Sequence, residues 1–141
     1  MSGMSARTKA RKRALDVLFE SEAKGLPLDG MLEERLRPTS ERPPLSEYAV
    51  HLVRGVTEHR ERIDELLSSY STGWTLERMP AVDRNVLRIG VFEILFTGDV
   101  PDAVAVSEAL SLVTELSTDE SPAFVNGVLG AIVREKATIT P

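Results

Sequence analysis

Five cations crowd one short stretch. "SARTKARKRALDVLFE" (Ser5 to Glu20) carries Arg7, Lys9, Arg11, Lys12 and Arg13. If the stretch is helical, Lys9, Lys12 and Arg13 project opposite Leu18, at about 100° per residue. Phe19 lies seven residues after Lys12, nearly in line with it and at the edge of the apolar stripe. A basic row ending in an aromatic ring suits a nucleic acid, because cations meet phosphates and the ring can stack a base. Two other readings stay open on the residues alone. The row is a solubilising tail with Phe19 in the core, or it is an arm for an acidic protein.

The placement is electrostatically awkward. Positive charge at a helix N-terminus opposes the macrodipole by a few tenths of a kcal/mol or more per charge. Arg7 with Arg11 and Lys9 with Arg13 are like-charge pairs four apart, each adding a similar small penalty. Asp16 relieves Lys12 or Arg13, and nothing nearby relieves the earlier residues. Either the segment before about Arg11 is disordered, or an anion supplies the missing partners. The charge is also segregated. Residues 1–13 carry five positive charges and no acid, so the rest of the chain sums to −10 within an overall −5. A basic arm on an acidic body points to an anionic partner.

Other chemistry is sparse. The chain has no cysteine, which excludes disulfides, thiolate zinc ligands and a thiol nucleophile. Its two histidines, His51 and His59, stand eight apart without a ligand cluster and read as solvated or satisfied helix residues. There is no phosphate-cradling glycine loop and no nucleophile elbow. Acidic pairs such as Glu33–Glu34 and Asp119–Glu120 read as solvent-facing or capping groups. No enzyme, metal or cofactor is expected. No apolar run approaches the ~20 residues of a membrane span, and no signal-peptide core follows the basic residues. A cytoplasmic location is expected.

The elements that must position the basic row are helical throughout. The 141 residues suit one domain with a sizeable core. Apolar spacing predicts helices around Ala10–Ala23, Leu28–Leu36, Leu45–Val56 and Ile63–Tyr70. Residues 38–46, "PTSERPPLS", read as an internal linker, with Ser46 as a helix cap. From Ala81 to Phe96 the chain is apolar on most faces, which predicts a central buried helix. Ala105, Ala109, Leu112 and Leu116 continue a helical face, and Ser121 is expected to cap the last helix with Pro122 at its first position. Gly127 and Gly130 are read as tight helix–helix contacts, and Asn126 as a polar bridge between helices. The expected fold is all-α, about seven helices in two packed small bundles.

The segments "ARKRALDVLFE", "RMPAVDRNVLRIGVFEIL" and "DVPDAVAVSEALSLVTELSTDESPAFVNGVLG" resemble the NusB family of bacterial transcription antitermination factors. "TGWTLERMPAVDR" is similar to the actinobacterial branch. The resemblance runs from about Ala6 to Lys136. It implies two helical subdomains and a heterodimer with ribosomal protein S10 (NusE). It implies that the pair binds boxA, a short single-stranded RNA of ribosomal RNA leader transcripts, within an antitermination complex that keeps RNA polymerase termination-resistant. By this resemblance Arg7, Lys9, Arg11, Lys12 and Arg13 contact RNA phosphates. Thr8 interrupts a position that is often basic in the family. Phe19 matches an aromatic position beside the RNA that is commonly tyrosine. Glu77, Glu120 and Phe124 match other positions near RNA. Asp83 matches the S10 interface, although a carboxylate there is also favoured by the helix dipole. Monomer and homodimer both stay open. The alternative function is a non-enzymatic helical adaptor whose basic arm binds an acidic protein.

Overall fold

The computed structural model describes residues 5–37 and 43–141. Most of the proposed linker, 38–42, and the first four residues of the basic arm lie outside the described residues. The chain is all-α, and seven α-helices appear among the described residues.

The first helix starts earlier than one sequence option allowed. Helix α1 spans Ala6–Lys24, and the Ser5 side chain caps it by accepting the Thr8 N–H at 3.1 Å. The basic stretch from Ala6 onward is therefore the first two turns of a folded helix and not a disordered tail. Ala10, Ala14, Leu15, Val17 and Leu18 are buried on one side. Gly25 ends α1 with φ 65°, a left-handed conformation that suits a residue without Cβ. Helix α2 (Leu28–Leu36) follows, and α3 (Glu47–Glu58) opens on Ser46, whose Oγ accepts the Ala49 N–H. Helix α3 meets α4 (Arg60–Tyr70) at His59.

Helix α5 (Ala81–Phe92) is buried on nearly every face, as its continuous apolar pattern demands. It is shorter than the sequence pattern suggested. At Glu93 the chain widens into a π turn, Glu93–Thr97, before Gly98 reverses it with φ 76°. Helices α6 (Asp102–Leu116) and α7 (Ser121–Arg134) complete the fold, with a short 3-10 turn after them. Helices α1, α2 and α3 pack as one group, while α4, α6 and α7 surround α5. Because α5 also touches α1 and α3, the two groups share one continuous core. A fully buried leucine or isoleucine contributes about 1.5–3 kcal/mol. Leu15, Leu52, Leu67, Leu87, Leu129 and Ile132 hold the helices together on that scale.

Three local expectations are corrected. Tight glycine contacts occur at Gly55 and Gly90, not at Gly127 and Gly130. A Cβ on Gly55 would overlap the Phe92 ring, and one on Gly90 would sit 2.9 Å from Leu129 Cδ1. Gly127 has nothing within 4 Å, and Gly130 meets only the end of Arg134. Ser121 lies inside α7 after the cap residue Glu120, and its Oγ accepts the Thr118 N–H from the preceding corner. Asn126 is exposed on α7 and bridges no other helix among the described residues. The histidines are packed against rings. His59 stacks on Phe96 at 4.2 Å between centroids, and His51 meets the Phe92 edge at 5.3 Å.

Candidate nucleic-acid interface

The helical turn sorts the five cations by direction. Arg11 points inward and is only 4% exposed. Its Nε donates to both oxygens of Glu93 at 3.0 Å, and its Nη1 donates to Glu108 at 2.8 Å. Glu93 is itself 1% exposed and also accepts the Tyr48 hydroxyl. Burial works against the Arg11 cation, but the Glu93 hydrogen bonds and charge outweigh it and hold its pKa above the ordinary value. Burial and the hydrogen bond to Glu93 raise the Tyr48 phenol. Arg11 therefore ties α1 to the π turn and α6. Its burial corrects the expectation that it meets phosphate.

The other four cations lie outside. Arg7 reaches Asp99 at 3.2 Å and lies 4.2 Å above the Tyr48 ring. Lys12 donates to Glu115 at 2.7 Å. Arg13 donates to the carbonyls of Pro43 and Pro44 at 2.9 and 3.3 Å. Lys9 is exposed and has no ion pair among the described residues. Thr8, at the interrupted position, donates its hydroxyl to Glu108. Part of the anion demanded by this helix N-terminus thus comes from the protein itself, from carboxylates on and before α6.

Phe19 is 40% exposed, so its ring is not core. One turn further along α1, Glu22 accepts from Arg84 and Arg88 of α5. Burial opposes ionisation of Glu22, but its hydrogen bonds to Arg84 and Arg88 prevail and lower its pKa. Arg84 also donates to the carbonyls of Leu76 and Met79 at 2.6 and 3.2 Å. The loop bearing the exposed Glu77 is thereby fastened to the C-terminal half of α1. Trp74 of the same loop packs edge-on against Phe124 at 4.8 Å, which joins the loop to α7. Arg88 completes the link by chelating Asp64 of α4 at 2.8 and 3.0 Å.

Glu120 is exposed at the start of α7. The α6–α7 corner that presents it is held by hydroxyls: Ser121 donates to Ser117 at 3.1 Å, and Ser117 donates to Asp83 at 2.5 Å. Asp83 is fully buried. In this conformation it cannot touch a docked protein, so its direct place at an S10 interface is corrected to a support under the corner. It sits in the first turn of α5.

The sequence reading missed Tyr48, Glu93, Glu108, Trp74, Arg84 and Arg88. The isolated charges of Arg88 and Glu93 inside an apolar run could have signalled two of them. No group of three or more metal-ligating side chains occurs among the described residues, and no described helix is long and apolar enough to cross a membrane.

The arrangement matches known proteins over nearly its full length. The NusB family model matches residues 8–134. A transcription antitermination protein NusB of Nocardioides sp. is 63% identical over 136 residues, covering 96% of this chain and 99% of that protein. T. maritima NusB superposes with a TM-score of 0.80 at 34% identity, over 94% of each chain. A solved complex of the antitermination factors NusB and NusE with double-stranded RNA matches at 29% identity and a TM-score of 0.74. That match covers 91% of this chain and 96% of the other. A family match across almost every helix, together with such a relative, places the chain: it belongs to the NusB family of transcription antitermination proteins.

Proposed function

We propose that this protein binds boxA RNA together with ribosomal protein S10 (NusE), in the cytoplasm, within a complex that keeps RNA polymerase termination-resistant. The observation that carries the proposal is the outer surface of α1, where Arg7, Lys9, Lys12 and Arg13 all lie outside the core and Lys12 stands nearly in line with the exposed Phe19 ring. The cations neutralise phosphates and the ring stacks an unpaired base. Glu77, Glu120 and Phe124 extend the surface across the Trp74 loop and the start of α7. The two carboxylates repel phosphate, so they suit base amino groups and favour positions where the backbone turns away. The action is non-covalent, and S10 lengthens the RNA surface.

With about four phosphates neutralised on a single strand, log K should fall against log salt with a slope of roughly −3. Replacing Lys9, Lys12 and Arg13 with glutamate should abolish RNA binding while S10 association is largely kept. Binding of boxA, scrambled and duplex RNA should be compared with S10 present across a salt series. A flat salt response, or no preference for boxA, would refute the proposal. Intact RNA binding with lost protein association would favour an adaptor whose arm meets an acidic protein.

A further inference from the structure

The outer cations of α1 face two kinds of anion. In the free protein Lys12 is held by Glu115 and Arg7 by Asp99. Neither carboxylate is a structural necessity of the core. Glu115 is 52% exposed and Asp99 58%, and their cation partners are 34% and 46% exposed. Glu108 differs, since it accepts from Thr8 and from the buried Arg11 and so ties α6 to α1. Asp99 and Glu115 stand on either side of it, one before α6 and one near its end. They meet α1 at its first turn and at its second, so two separate acids occupy two of the cations that would otherwise meet phosphates.

We propose that Asp99 and Glu115 are an intramolecular phosphate mimic that RNA must displace, setting a threshold for anion binding on α1. This rests on the RNA-binding reading of that helix. The direction of ionisation agrees with the geometry. The Glu115 hydrogen bond and charge raise the Lys12 pKa, and the Arg7 hydrogen bond lowers that of Asp99. Asp16 on α1 adds a smaller attraction for Lys12.

Such pairs are weak one at a time, because water and salt screen them. A single small anion gains little over the carboxylate it replaces. A strand carrying several phosphates replaces both carboxylates at once and keeps Lys9, which has no ion pair among the described residues, as its first point of contact. The displacement cost is the same for every RNA that engages these cations. It therefore lowers affinity for boxA and for other RNA by the same factor, leaving their ratio unchanged. What changes is the concentration at which non-specific RNA begins to occupy the helix.

The test measures binding of boxA and scrambled RNA in the presence of S10 at low salt. Glu115→Gln and Asp99→Asn should each tighten both RNAs by about two- to fivefold. Their combination should tighten further, with the boxA preference unchanged. The mimic is separated from simple charge repulsion by double-mutant cycles. In a Lys12→Met background Glu115→Gln should have no effect, and in Arg7→Met the same should hold for Asp99→Asn. An equal gain in those backgrounds overturns the proposal, since repulsion does not need the cation. So does a gain of the same size from Glu33→Gln, an exposed acid on α2. If Lys9→Glu leaves RNA binding intact, the RNA reading of α1 fails. If Lys9→Glu weakens binding but neither amide variant strengthens it, only the mimic fails.

Discussion

Glu93 is a carboxylate in a place without water, and Arg11 is its reason. The pair is fully desolvated, so its attraction must compete with the cost of removing two charges from water. Three further hydrogen bonds, from Tyr48 to Glu93 and from Thr8 and Arg11 to Glu108, leave few polar atoms unmatched. Removing one partner strands the other. Glu93→Ala should cost about 3–5 kcal/mol in chemical denaturation, whereas replacing the exposed Lys9 by alanine should cost less than about 0.5 kcal/mol. Comparable losses for both would mean that Arg11 is not the buried member of the row. The same comparison separates structural from RNA-facing cations, because Lys9→Ala should weaken RNA binding while leaving stability almost unchanged.

At the level of elements, two glycines in similar sequence settings should behave oppositely. Gly55 lets the Phe92 ring lie against the α3 backbone, so Gly55→Ala forces the ring or the helix to move. The cost expected for such overpacking is about 1–3 kcal/mol, less whatever the better helix propensity of alanine returns. Gly127 on α7 has open space where a Cβ would go, and its backbone is helical. Gly127→Ala should stabilise by about 0.5–1 kcal/mol. Thermal melts of the two variants check both signs. In "NGVLG" the two glycines invite a packing interpretation, but a glycine on a helix is tight only if a neighbour approaches its face. That neighbour is 37 residues away in the case of Gly55 and Phe92. The π turn after α5 was hidden for a related reason, since it begins at Glu93, whose buried partner Arg11 lies 82 residues away in the chain.

Across the whole molecule, Glu22, Arg84, Arg88 and Asp64 bind α1, α4, α5 and the Trp74 loop into one unit. Glu22 has a folded pKa below its ordinary 4.5. Its contribution is therefore complete above that value and is lost as pH falls through the lowered folded pKa. Glu22→Gln should reduce stability at neutral pH and flatten the acid limb of the stability–pH curve below about 4.5. Denaturant midpoints measured from pH 3 to 7 check this. A variant curve parallel to that of the unchanged protein would show that Glu22 is not the titrating group.

Residue spacing was enough for the all-α class, the order and rough position of the helices, the burial of α5, the Ser46 cap and the segregation of positive charge on α1. Each of these follows from spacing within one or two helical turns, where neighbours in space are neighbours in sequence. Family resemblance added the RNA and S10 expectation. It could not say which cations of α1 face outward. Ser5 to Arg13 read locally as a helix start with no relief for its charge. Only the tertiary structure supplied that relief, because Asp99, Glu108 and Glu115 lie about a hundred residues further along the chain. Charge pairing at that separation depends on where α6 is carried by the packing of α5, and no local rule contains that information. The same packing buried Arg11 and left Lys9 exposed, although the two stand only two residues apart.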